Sequence, residues 1–571
     1  MSADRSSLSS SSSASSSSST LPSSASPSAS SSSSPRPSSP ASPLTPATAV
    51  AILQQHHLLH EIIDEERWTL DAQEIPDADT PFDAVTYDTR EVRPGTLLFI
   101  KGQFRPEFLE AIPAQTLRCY VAETDYSAHT DAPGIIVSNV QQAMSLLAAE
   151  FYGRPQERMT MIGITGTKGK TTTAYFAHAI LSAASHGKAA LSSSLARCLD
   201  GQHFEPSHLT TPESLDLLRM MHEAAGNGMR YFVTEVSSQA YKRNRVFGLT
   251  FDVGAFLNIS PDHISPIEHP TFEDYFHCKR QLVSNSRTLV LGADCDHADL
   301  LREDATAQGV TVTSFALHDQ AAGLSTPADV VAVDDDANPG AFSVLVHGEQ
   351  VQDFQLSMRG EFNIANALAA IAIALEAGVS PDDTALQAVN DVQVPGRMER
   401  FVSSDGIIAY VDFAHNYLST KTLIDEVERQ YAGRNPRIVV VAGSTGGKAL
   451  DRREGIVKGA LGRAESFVFT TDDPDREDPE EIARQMRSYV TDPQATTRIV
   501  VDREQAVSAA LQDAREHPDR LNILMLIGKG NETANTINGK PVSYPGDAAV
   551  ITRLFAQSAG TRTACAAPEV R

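Results

Sequence analysis

Short apolar runs at Tyr231 to Thr234, Val253 to Leu257 and Thr288 to Leu291 are separated by longer stretches of helical period. That is the pattern of strands buried on both faces of a largely parallel sheet, with helices as crossovers. After Val394-Pro395-Gly396-Arg397 the alternation restarts, with apolar runs at Ile407 to Val411, Ile438 to Ala442, Phe467 to Thr470 and Ile523 to Ile527. An α/β protein with two parallel-sheet units is therefore expected. Ahead of them Gly95-Thr96-Leu97-Leu98-Phe99-Ile100 reads as a turn and a strand in a smaller mixed domain. The N-terminal stretch is almost entirely Ser, Pro, Ala and Thr, which cannot bury enough apolar surface to offset chain ordering, so a disordered tail is expected. The boundaries predicted are 1–47 for the tail, 48–157, 158–393 and 394–571.

The first parallel unit opens on a segment with chemistry in it. Gly163-Ile164-Thr165-Gly166-Thr167-Lys168-Gly169-Lys170-Thr171-Thr172-Thr173, preceded by Met159 to Ile162 and followed by Ala174 to Ile180, reads as a strand, a phosphate-cradling loop and a helix. Glycines let successive backbone N–H groups converge on a phosphate, the helix adds its positive end, and Lys170 supplies a mobile cation. Gly166, Thr167, Gly169, Lys170, Thr171 and Thr172 are the candidate nucleotide-binding residues, with the Thr171 hydroxyl on magnesium. The spacing departs from the usual phosphate loop, because Ile164 stands where a glycine is wanted, so a variant loop is indicated.

Composition narrows the partners. Lys and Arg total 47 against 72 Asp and Glu, a net charge of -25, which disfavours wrapping a nucleic acid. The 5 cysteines are scattered without a CxxC pair, as in a reducing compartment, and no apolar run approaches the ~20 residues needed to span a bilayer. A cytoplasmic protein without nucleic-acid or membrane partners is expected, working as a monomer.

In parallel sheets ligands gather beyond the carboxyl ends of strands. Here those ends carry Glu235-Val236-Ser237-Ser238, Asn258-Ile259-Ser260-Pro261-Asp262-His263, Asp412-Phe413-Ala414-His415, Gly443-Ser444-Thr445-Gly446, Thr471-Asp472-Asp473-Pro474 and Gly528-Lys529-Gly530. Glu235 could ligand magnesium, and two polar strand ends beside a phosphate loop point to a metal and nucleotide site.

Together with Thr210-Thr211-Pro212, Gly360-Glu361-Phe362-Asn363 and Pro395-Gly396-Arg397-Met398-Glu399, these runs resemble the Mur ligase family in order and spacing, from about 80 to 555. Within it they are most similar to the branch that adds the third residue of the peptidoglycan stem. The resemblance implies three domains: a UDP-sugar-binding domain, a central ATP-binding domain with the phosphate loop, and a Rossmann-like C-terminal domain that receives the amino acid. It implies ATP-dependent amide formation on UDP-N-acetylmuramoyl-L-alanyl-D-glutamate through an acyl phosphate. Two Mg²⁺ ions are implied, one held by Thr171 and Glu235, the other by His263 and a carbamylated Lys279. A free ammonium cannot ligand a cation, whereas a carbamate can. Asn363 would contact adenine or cap its helix, Arg397 would reach the ATP phosphates, Asp412 the ribose, and His415 would lie nearby. The UDP-substrate would meet Asp88 and Thr89, then Thr210, Thr211, Ser237, Ser238 and Arg245.

The resemblance also bears on which amino acid is added. Members that add meso-diaminopimelate carry Asp-Asn-Pro-Arg, whose arginine forks onto the distal carboxylate. Here the segment reads Asp472-Asp473-Pro474-Asp475, and Glu532 stands where the incoming side chain is read. The sign favours a cation, worth on the order of 4 kcal/mol at ~4 Å before desolvation. L-Lysine is expected, gripped at its α-carboxylate by Arg453. L-Ornithine stays open, and meso-diaminopimelate returns if Arg476 replaces the lost arginine. A folylpolyglutamate synthase-like ligase and a nucleotide-binding regulator without catalysis are the other readings. Retention of Lys170, Glu235, His263 and Arg397 speaks against the regulator.

Overall fold

The computed structural model describes residues 43–564 apart from 65–66, 114, 266–267, 322, 325 and 336–337. Most of the N-terminal Ser-rich segment and Cys565 lie outside the described residues, so the expected disordered tail is not addressed there.

Three main sheets succeed one another along the chain. A six-stranded sheet spans Leu59 to Val137, an eleven-stranded sheet Thr160 to Gln355, and a second six-stranded sheet Glu399 to Ile527. In the central sheet the strand Thr160–Thr165 lies between Tyr231–Glu235 and Phe251–Phe256, parallel to both. The chain leaves this strand toward one side, to Ala189–Ser192, and later crosses past it from Tyr231–Glu235 to Phe251–Phe256 on the other, so the strand order reverses around its carboxyl end. Glu235 stands level with Ile164 and Phe256 level with Thr165, so the two predicted strand ends flank the loop.

Local sequence explains the packing beneath. The helix Lys170–Ala184 buries Phe176, Ala177, Ile180 and Leu181 in the same core as Ile162 and Ile164. Beside it the helix Glu361–Glu376 is buried along Ala367 to Ala374 on every face, which its Ala- and Ile-rich sequence allows. Gly163 belongs to the strand, not to the loop. A Cβ there would stand 2.8 Å from the Phe251 ring, so the glycine admits that ring to the sheet.

The third sheet runs Glu399–Val402, Ile408–Asp412, Asn522–Ile527, Arg437–Ala442, Ala464–Phe469, Thr496–Ile499, parallel except at its first pair. All four strands expected from the apolar runs form, their ends no more than three residues from the expected ones. A hairpin, Ala534–Ile537 with Lys540–Ser543, stands beyond this sheet. Among the described residues no helix is long and apolar enough to cross a membrane.

Candidate functional site

Gly166 and Gly169 have φ of +155° and +84°, turning the loop so that its chain passes directly into the helix at Lys170. A Cβ on Gly169 would come within 2.2 Å of Asn366 Oδ1, which also accepts from Thr173 at 3.4 Å. The Lys170 ammonium folds back and donates to Gly166 O at 2.9 Å and Thr167 O at 3.3 Å. Lys279, only 1% exposed, donates to the same Gly166 O at 2.8 Å. Burial pulls both amines below the ordinary lysine range, and Lys170 lowers Lys279 further. Thr167, Thr171 and Thr172 are buried. Thr167 meets the Tyr275 hydroxyl at 3.1 Å, and Lys279 lies 5.0 Å over that ring.

Glu235 is fully buried and accepts from Ser194 N at 2.7 Å and Ser194 Oγ at 3.1 Å. Ser194 Oγ in turn accepts from the Thr210 hydroxyl at 3.0 Å, while Thr211 donates to Glu235 O and also bonds Ser237. Four of the expected residues, Thr210, Thr211, Glu235 and Ser237, are thus one network. Among the described residues no lysine, arginine or histidine pairs with the Glu235 carboxylate within 4.0 Å, and a carboxylate oxygen is a ligand that a hard cation takes. Ser238 points elsewhere, to the His269 ring at 2.9 Å.

His263 is not brought to Glu235. Its ring is half-exposed, at a left-handed turn (φ +58°), and meets Glu268 at 3.2 Å, with the Tyr275 ring 6.1 Å away. Its neighbour Asp262 does more than the sequence suggested. It pairs with Lys168 at 3.0 Å, accepts from Asn416 at 3.3 Å, and has Arg452 at 3.8 Å, so one carboxylate ties the phosphate loop to the third sheet's helices. Burial opposes ionisation there, but Lys168, His263 and His415 hold the carboxyl well below its usual range. No periodicity signals such a contact between residues so far apart in sequence.

On the third-sheet side, Arg397 stacks 4.7 Å over Phe413 and donates to Gly396 O. Asp412 accepts from Met398 N at 2.8 Å and Ala414 N at 2.7 Å, so its carboxylate also fixes the Pro395-Gly396 junction. His415 bonds Phe413 O, and burial with nearby Lys168 and Arg452 presses its pKa down to about 3. Asn363 is not a cap. Gly360 occupies that position and Asn363 sits in the first turn, donating to Arg359 O at 2.8 Å. In the first sheet Asp88 caps the turn that begins at Thr89 and is held by Arg90. Arg245 forks onto Glu213, which also pairs with Lys101 from the first sheet at 2.8 Å.

The acidic segment differs from the expectation in one respect. Its carboxylates already have a cation, because the fully buried Lys529 lies 2.9 Å from Asp473, 2.9 Å from Glu532 and 3.5 Å from Asp472. Gly528-Lys529-Gly530 was visible in sequence, but its fold onto the 472–473 turn was not. Asp475 accepts from Gly539 N at 2.7 Å, which anchors the hairpin, and Arg476 is exposed. Arg453 donates to Glu477 at 2.9 Å and to Thr445 O, while its Nε and the Ser444 hydroxyl are buried without a hydrogen-bond partner. Two other three-donor groups could be considered for a metal ion, His269-Asp274-Cys278 and Asp472-Asp473-Glu532. Lys242 already neutralises Asp274 in the first, and Lys529 fills the second.

Residues 164–374 match the Mur ligase middle domain and 396–530 the Mur ligase glutamate ligase domain. The chain is 54% identical over 514 residues to the UDP-N-acetylmuramyl-tripeptide synthetase of Bifidobacterium longum, covering 90% of this chain and 99% of that protein. It is 40% identical to the UDP-N-acetylmuramoyl-L-alanyl-D-glutamate–L-lysine ligase of Streptococcus pneumoniae, covering 88% and 98%. A solved structure of a UDP-N-acetylmuramoyl-L-alanyl-D-glutamate–2,6-diaminopimelate ligase shares the fold at TM-score 0.56 and 23% identity, over 84% of this chain and 96% of that one.

Proposed function

Because the chain belongs to the Mur ligase family, we propose that it is an ATP-dependent ligase that adds a basic amino acid, L-lysine, to the D-glutamate of UDP-N-acetylmuramoyl-L-alanyl-D-glutamate, a step of peptidoglycan synthesis. The observation that carries the reading is the convergence of the Lys170 and Lys279 amines on one carbonyl of a glycine loop, beside the buried Glu235 carboxylate, which has no ion-pair partner among the described residues. ATP is the phosphoryl donor, its phosphates lying on the loop N–H groups and Lys170, with Arg397 reaching in from the third sheet. The substrate carboxylate attacks the γ-phosphorus, ADP leaves, and the amine of the incoming amino acid displaces phosphate from the acyl phosphate. Charge accumulates on the transferred phosphoryl oxygens, so fixed donors and cations aimed there lower the barrier.

Magnesium, when bound, offsets part of that charge. Glu235 and Thr171 would hold one ion, while His263 and Lys279 would hold the other. Lys279 can serve only as an anion, and burial favours its neutral amine, the form that reacts with CO₂: the nitrogen lone pair adds to carbon, a proton leaves, and a carbamate remains. The UDP-sugar falls to residues 48–157, with Asp88 and Thr89. The peptide falls to Thr210, Thr211, Ser237, Ser238 and Arg245, and the amino acid to 394–571, with Arg453 on its α-carboxylate. Even with Lys529 present, Asp472, Asp473 and Glu532 leave two negative charges in excess for an ε-ammonium, and Asp475 adds another nearby.

The test is phosphate release from ATP with the UDP-dipeptide substrate and single amino acids. L-Lysine should give the highest kcat/KM, and L-ornithine, one methylene shorter, should fall behind by roughly 10–200-fold. A tenfold advantage for meso-diaminopimelate, about 1.4 kcal/mol, would overturn the charge argument and turn attention to Arg476.

A further inference from the structure

Behind the acidic pocket lies an ion pair that no step above uses. Arg503, 1% exposed in its side chain, and Asp547, 0% exposed, form a forked pair at 2.9 Å and 2.7 Å. The Tyr544 hydroxyl donates to the same carboxylate at 2.7 Å. Asp547 is the first residue of the last helix, so the helix dipole also favours its charge, and it lies beyond the matched family domains.

The remaining guanidinium donors face the pocket. Nη2 donates to Ile527 O at 2.9 Å and Nη1 to Thr471 O at 3.4 Å. The first ends the strand Asn522–Ile527 and the second lies two residues past the strand Ala464–Phe469; these strands are not neighbours, since Arg437–Ala442 runs between them. Thr471 is followed at once by Asp472 and Asp473, and Ile527 by Gly528 and Lys529. One planar fork therefore holds both turns that supply the pocket's charged groups. A buried ion pair is a poor source of stability compared with apolar packing of the same volume, but apolar packing offers no donors to two strand-end carbonyls.

We propose that Arg503, oriented by Asp547, is a positioning residue for amino-acid selection, setting the separation of the Asp472–Asp473 and Lys529–Glu532 turns and hence the depth at which an ammonium is received. The inference rests on the reading of that pocket as the amino-acid site. Lysine and ornithine place the same charge at depths differing by one methylene, so loosening the separation should blur their discrimination more than it affects ATP.

The experiment is initial-rate kinetics of Arg503→Lys and Tyr544→Phe in the full-length protein, with Glu532→Gln as control. Lysine at 503 keeps the charge and loses the fork. Arg503→Lys should raise KM for L-lysine about tenfold and reduce the lysine-to-ornithine kcat/KM ratio at least threefold, leaving KM for ATP and for the UDP-substrate within twofold. Tyr544→Phe, which removes one hydrogen bond to Asp547, should move the same ratio in the same direction by a smaller factor and covers the case in which the first variant does not fold. A lowered melting temperature with KM values and ratio unchanged would mean a purely structural pair and overturn the proposal. If Glu532→Gln shifts the lysine KM while both clamp variants are silent, the clamp alone is wrong. If Glu532→Gln is silent as well, the pocket reading falls and takes the proposal with it.

Discussion

Replacing Lys529 by methionine tests whether the acidic pocket is held together by its own cation. The substitution keeps most of the aliphatic stem and removes an ammonium 2.9 Å from Asp473 and from Glu532 and 3.5 Å from Asp472. At an effective dielectric near 20 each contact is worth about 4–6 kcal/mol before desolvation. Little of the Glu532 share survives, because that side chain is 40% exposed and screened, whereas Asp472 is 8% exposed and cannot turn to water. Stripping the partner from a buried charge costs about 3–5 kcal/mol, so a loss near ~3 kcal/mol is expected. Burial already raises the Asp472 and Glu532 carboxyls while Lys529 lowers them, so without it both rise further. A carboxyl raised in the folded state binds more protons folded than unfolded, so the variant gains stability as pH falls from neutrality toward the ordinary carboxylate range near ~4. Its deficit against the parent should narrow over that window. The single tryptophan, Trp68, belongs to the first sheet and does not report on this region. Hydrogen exchange of peptides covering 472–475 and 528–532, with calorimetry, is the suitable readout. A deficit below about 1 kcal/mol, or one independent of pH, would refute the reasoning.

Gly169→Ala puts a Cβ 2.2 Å from Asn366 Oδ1 at φ +84° and should raise KM for ATP at least tenfold; unchanged nucleotide affinity by calorimetric titration would contradict the loop's role. Lys279→Ala should be nearly inactive and recover partly with short carboxylic acids in the assay, while full activity without them would exclude a carbamate ligand there. His178 is buried, donating to Ala189 O, and desolvation lowers its pKa to about 4 against an ordinary value of 6.5. Between those values the unfolded chain binds the extra proton, so His178 costs stability as pH falls through that window, and His178→Gln should flatten the fall in urea midpoint. An identical slope in both proteins would show that the ring titrates normally.

Much of the phosphate-binding half was legible in the sequence because it is local. Strand, glycine turn and helix follow within some twenty residues, and the positive φ at Gly166 and Gly169 follows from chain direction alone. The same holds for the third sheet's strands, whose continuous apolar runs need only burial on both faces. Asn363 shows where local reading fails, since a helix start is uncertain by a few residues and the glycine before it took the cap.

Charge placement was decided only in three dimensions. The sequence shows many acids and one lysine, Lys529, between 472 and 532 without saying which acids the lysine neutralises, because a salt bridge depends on which strand ends the sheet order brings together. Asp262 joining Lys168 to Asn416, Glu213 joining Lys101 to Arg245, and Arg503 spanning two strand ends to Asp547 are of the same kind. A hydrophobic period repeats along the chain and so is written in it, whereas an ion pair needs only one close approach, which no repeat encodes.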